Sequence, residues 1–159
     1  MLTKSSEGRK FIQEISKDIV VEVAPEEMDL FDELVMEYFQ NPTPPDFSVS
    51  PKDDPLGFGI GETLVAVAPA AAAMVEVVLN SLMNESLRAA QEESAELVKR
   101  KIKALFNSKQ KEDKDPVPLT KEQLEQVRKL AIKQAIKFGI GPEKAEKMAN
   151  ALIGSLALA

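Results

Sequence analysis

The sequence predicts an all-α protein: a small helical bundle with a long central apolar helix and a C-terminal helical hairpin. Three observations carry that expectation. Apolar residues recur at three- and four-residue spacing through most of the chain, the period of a helix with one buried face. One β-branched run, Ile19-Val20-Val21-Glu22-Val23, could form a strand, but it has no second strand-like run to pair with. Thr63 to Met83 (TLVAVAPAAAAMVEVVLNSLM) is 21 residues with a single charge, the pattern of a helix surrounded by neighbours.

The elements follow in order. Phe11, Ile12, Ile15 and Ile19 place an amphipathic helix over Gly8 to about Asp18, with Ile19 to Val23 as its end or as an extended connector. Pro25 suits a first helical position, and Glu26, Glu27 and Asp29 put negative charge in the first turn, where it complements the helix dipole. A second helix therefore starts there. Leu30, Phe31, Leu34, Val35, Tyr38 and Phe39 form its apolar stripe, which stops at Asn41-Pro42. Between 41 and 61 stand five prolines and three glycines, a density that forbids regular structure and predicts a long loop.

Glu62 to about Phe106 reads as one long helix or two in succession, with a break near Asn80 to Ser86 or a protruding helix expected, because an unbroken helix would outrun a domain of this size. Asn107 to Pro118 is charged, aperiodic and closed by two prolines, the composition of an exposed linker. Thr120 with Gln123 makes a capping box, and Leu119 with Leu124 its hydrophobic staple. Leu124, Val127, Ala131, Ala135 and Phe138 form the next stripe, Gly139 stops it, and Gly141-Pro142 restarts a helix carrying Ala145, Met148, Ala149, Leu152, Ile153 and Leu156. The expected organisation is an N-terminal helical unit over 1–108 that includes the loop 41–61, a charged linker over 109–119, and a hairpin over 120–159. The hairpin is too small to hold a core alone, so it should dock on the first unit or on another chain.

Composition narrows the chemistry. Of 159 residues none is His and none is Cys, which excludes a Ser-His-Asp triad, histidine- or thiolate-ligated metal centres, disulfides and a cysteine nucleophile. Carboxylate, lysine and hard-cation chemistry remain. The net charge of −6 is unevenly spread. Residues 1–60 hold 5 basic and 13 acidic groups, residues 61–119 hold 8 and 9, and residues 120–159 hold 7 and 4, so an acidic front precedes a basic tail. Front and tail could attract each other or steer different partners, and the net negative charge disfavours nonspecific nucleic-acid binding by the chain as a whole. Met1 to Lys10 lack the apolar run of a secretory signal, and a cytoplasmic location is the expectation.

Several constellations were candidates for function. Glu76 and Asn80 lie one turn apart on the apolar helix, as polar groups facing a bundle interior or a pore would. The segment is long enough to span a bilayer, yet Glu76, the weak hydrophobicity of Ala and the lack of flanking basic clusters argue against it. Gly57, Gly59 and Gly61 match neither dinucleotide-binding nor Walker spacing. Asp29, Asp32, Glu33 and Glu37 share a helix face, a solvated acidic surface rather than a Ca²⁺ loop. Lys129, Lys133 and Lys137, beside Arg128, make a basic ridge on the first tail helix, but in the helix after it, where a DNA-recognition helix needs Arg, Asn or Gln, Gly154 to Ala159 offer almost only Leu and Ala.

The expected function is therefore a non-enzymatic, helical protein–protein interaction or oligomerising adaptor module, with no cofactor and no metal, whose partner is another protein or a second copy. The alternative is a membrane-associating or pore-forming protein inserting through residues 64–83. Glu76, Asn80, Lys129, Lys133 and Lys137 are the candidate functional residues; catalytic residues are not legible.

Overall fold

Pro25 decides where the first helix stops. It has no N–H to donate and disfavours α geometry in the residue before it, and Ala24 sits at φ −145°, ψ 65°. The computed structural model, which describes residues 6–42, 66–85, 100, 102–104, 106 and 119–158, accordingly ends helix α1 (Ser6–Val23) one residue earlier. The β-branched run from Ile19 to Val23 thus continues the helix. Ile19 and Val20 are buried, and tertiary packing overrides their strand preference.

The second predicted helix divides in two. Pro25–Leu30 is a 3₁₀ turn, and α2 runs from Phe31 to Gln40. Phe31, Val35 and Tyr38 are buried and Leu34 and Phe39 partly so, but Leu30, assigned to the apolar stripe from sequence, is exposed. The tighter winding of the 3₁₀ turn moves it off the face that α2 buries. Asn41, extended at φ −141°, ψ 82° before Pro42, ends the helix. The rest of the loop expected over 41–61 lies outside the described residues.

Helix α3 runs from Val67 to Glu85. Val67, Ala68, Ala70 to Val75, Val78, Leu79 and Leu82 are all buried, whereas Glu76, Val77, Asn80 and Ser81 are half-buried. It packs against α1 and α2, and against α4 (Lys121–Lys137) of the hairpin. Four consecutive alanines keep its surface low, so neighbouring backbones can approach closely. Pro69 is harmless in the first turn, where an N–H would have no intrahelical partner. The helix runs unbroken through Asn80 to Glu85, against the break expected over most of 80–86; residues 86–99 lie outside the described residues. Ile102 and Ala104 are helical and buried.

The hairpin forms as its punctuation predicts. Thr120 accepts from the Gln123 backbone N–H at 3.1 Å, and Gln123 Oε1 accepts from the Thr120 N–H at 2.9 Å, the two reciprocal bonds of a capping box. At the other end Gly139 adopts φ 91°. Its N–H bonds to the Ile136 carbonyl at 2.9 Å, and the Ile140 N–H to that of Ala135 at 3.1 Å, which is a Schellman motif. Helix α5 (Pro142–Leu158) then returns against α4 and packs on α1. Buried residues of α1, α2, α3 and the hairpin belong to one continuous core. The hairpin therefore docks within its own chain. All the regular structure among the described residues is helical. Of the linker over 109–119 only Leu119 is described.

Candidate functional site

Three polar contacts tie the helices together. Glu27, in the 3₁₀ turn, accepts from the backbone N–H groups of Val67 at 2.7 Å and Ala68 at 3.0 Å. Together with Pro69, which has no N–H, this accounts for the first three positions of α3 and sets a carboxylate at the positive end of its dipole. Ser155 on α5 donates to Asp18 on α1 at 2.7 Å. Tyr38 on α2 donates its hydroxyl to Glu76 on α3, with its ring edge-on to Phe138 at 6.0 Å. Burial pushes the Tyr38 phenol far above its ordinary range, and the neighbouring Glu76 carboxylate adds to the effect.

Glu76, the one charge in the apolar segment, is half-buried in the middle of α3 with the Tyr38 phenol as a partner. Asn80, one turn on, is also half-buried. Tyr38 was read from the sequence as a core aromatic and not as this partner, because 38 residues separate the two. Neither Glu76 nor Asn80 lines a groove with the lysines. No helix among the described residues is long and apolar enough to cross a membrane. The part of residues 64–83 that the structure describes meets other helices on its apolar sides.

The lysines of the basic ridge do converge. Lys129, Lys133 and Lys137, with Ile132 and Ile136, line a shallow open groove of about 380 Å³ along α4. The three lysines are exposed, Ile132 is half-buried, and Ile136 is 47% exposed. The two isoleucines stand one turn apart beside the buried stripe, a spacing visible in the sequence but eclipsed there by the lysines. Arg128 faces the other way, bonding Asn150 at 3.2 Å and approaching Glu125 and Glu146 at 3.8 and 3.9 Å. It joins α4 to α5, whereas the lysines make no ion pair with the described residues.

A second surface combines charge with exposed apolar side chains. Asp29, Asp32, Glu33 and Glu37 are all exposed, and between them stand Leu30, 53% exposed, and Met36, 48% exposed. Among the described residues no group of carboxylates is arranged to hold a metal ion. A smaller cleft of about 200 Å³ between the end of α3 and the start of α4 is lined by Leu82, Leu119, Gln123, Gln126, Val127 and Leu130. It gathers amides and aliphatic groups without a titratable side chain. No protein-family model, curated protein or solved structure matches the chain.

Proposed function

We propose that this protein is a non-enzymatic helical interaction module that uses the outer face of α4 as a contact surface for another protein chain. One observation carries the reading: Ile136, exposed, and Ile132, half-buried, line a groove together with three lysines. An apolar centre with a charged rim is the anatomy of a protein contact, in which the centre supplies burial and the rim selects the partner. The buried packing of α3 favours this reading over insertion through residues 64–83.

A photo-activated cross-linking side chain at position 136 of the full-length chain, with exposed Lys144 on α5 as the control position, tests it in the producing cell. Protein adducts from 136 and not from 144 are expected. Flotation of the same chain with vesicles reads the alternative. Absence of any protein adduct at 136, or recovery of the chain with the vesicles, would count against the module.

A further inference from the structure

This inference rests on the reading of α4 as a contact face and concerns what occupies it. The charges are segregated more sharply than the net value suggests. From Asp18 to Pro51 there is no Lys or Arg, and from Gln126 to Pro142 there is no Asp or Glu. The first stretch contains the exposed face of the 3₁₀ turn and α2; the second contains most of α4.

The charged residues of the two faces share one sequence spacing. On α4, Lys129, Lys133 and Lys137 recur every four residues, with Ile132 and Ile136 between them. On the acidic face, Asp29, Glu33 and Glu37 recur every four residues, with Met36 and the exposed Leu30 interleaved. Residues four apart sit one above another on an α-helix, so Lys129, Lys133 and Lys137 form a column beside Ile132 and Ile136, and Glu33 and Glu37 form one beside Met36; Asp29 and Leu30 extend that second surface onto the 3₁₀ turn. The two charged surfaces each extend over nine residues, 29–37 and 129–137, and are opposite in sign. Both point outward, and neither is neutralised by the other within the chain, since no ion pair joins them.

From this complementarity we infer that the occupant of the α4 groove is a second copy of this chain, presenting its 3₁₀ turn and α2. Met36 and Leu30 cover Ile132 and Ile136, while Asp29, Glu33 and Glu37 face Lys129, Lys133 and Lys137. The contact uses two different patches. When each copy gives α2 to the other's α4, the two contacts close a symmetric dimer; otherwise the same contact propagates head to tail. One helix pair is at the small end of protein interfaces, so association is weak and strongly salt-dependent.

The test uses the full-length chain and its charge-reversed forms. One variant carries Asp29→Lys, Glu33→Lys and Glu37→Lys; the other carries Lys129→Glu, Lys133→Glu and Lys137→Glu. Light scattering at low salt should give the wild type a mass above one chain at high micromolar concentration. That mass should fall toward one chain as salt rises from about 0.05 M to about 0.5 M. Each variant alone should associate about tenfold to a hundredfold more weakly, given three lost pairs. Mixed, the two should associate again, because lysines on one variant's α2 then meet glutamates on the other's α4.

Circular dichroism checks that the variants keep their helix content. If a triple variant fails to fold, Glu33→Lys paired with Lys133→Glu provides the same mixing test. A wild type that stays a single chain at low salt overturns the inference, as does association that ignores salt or a mixture that does not restore it. Binding to phosphatidylserine vesicles through the lysines, without self-association, overturns it in favour of a lipid surface. Cross-links from position 136 to a different protein overturn the second-copy occupant while leaving α4 as a contact face.

Discussion

Tyr38 and Glu76 meet across the interface of α2 and α3, the phenol donating to the carboxylate. The pair lets a carboxylate stand in the most apolar helix of the chain without losing hydrogen bonding. It also fixes how α2 lies on α3, because a directional bond is added to otherwise non-directional packing. Tyr38 is the only tyrosine and there is no tryptophan, so its ionisation is directly visible in the ultraviolet spectrum.

The first prediction concerns alkaline pH. The folded-state phenol is shifted upward, so folding favours the protonated form. The stability this contributes is complete below about pH 10, the unfolded value, and is lost as pH climbs through the higher folded value. Between the unfolded and the folded value, unfolding free energy should fall with a limiting slope of about 1.4 kcal/mol per pH unit. Denaturant titrations of wild type and Tyr38→Phe check it: the difference between their slopes isolates the phenol from the lysines. Tyrosinate absorbance should rise only as the chain unfolds. Reversible ionisation near pH 10 with full helix content would contradict the buried pair.

Glu27 should behave as a helix cap supplied from a distant part of the chain. Glu27→Ala leaves the Val67 and Ala68 N–H groups without their acceptor and should cost about 1 to 2 kcal/mol. Glu27→Gln keeps an acceptor and should cost less. Glu26→Ala, at an exposed neighbour, should change stability by less than about 0.5 kcal/mol. Urea denaturation of the three variants ranks them, and equal losses at positions 26 and 27 would remove the cap.

Two buried serines should respond in opposite senses. Ser155→Ala breaks the bond to Asp18 and should destabilise by about 1 kcal/mol or more. Ser16 is wholly buried, and its hydroxyl has no hydrogen-bond partner among the described residues. Ser16→Ala removes a desolvated polar group and should be neutral or stabilising by up to about 1 kcal/mol. Thermal melts of the two variants distinguish the cases through the sign of the shift.

Gly139 should tolerate no side chain easily. Its φ of 91° is a conformation that L-residues rarely adopt, and the Schellman bonds of the α4–α5 turn depend on it. Gly139→Ala should cost about 1 kcal/mol or more, whereas Gly141→Ala, with open space around the added carbon, should cost less. Equilibrium unfolding of both variants tests the contrast.

How much was legible in the sequence depends on the range of each interaction. The capping box at Thr120, the stop at Gly139 and the end of α2 before Pro42 are written in neighbouring residues, because backbone hydrogen bonds and proline's missing donor act over a few positions. The stripes of α1, α4 and α5 are legible for the same reason, since helical periodicity places their apolar residues on one side before any neighbour arrives. The lysine ridge of α4 was likewise visible as a spacing. Its partners in the groove became distinctive only once the core was seen to leave Ile136 outside and to cover Ile132 only in part.

The tertiary structure alone decided what required residues far apart to meet. Glu27 caps a helix that begins 40 residues later, Tyr38 satisfies a carboxylate 38 residues away, and Asp18 reaches Ser155 across 137 positions. Helical periodicity sorts side chains by face but leaves open which face meets which. The sequence by itself determined the helices and their caps, because those depend on local backbone donors and acceptors. Only the assembled bundle decided that α3 lies within it, that Leu30 turns outward, and that the acidic and basic faces remain exposed, because burial depends on which helices pack together.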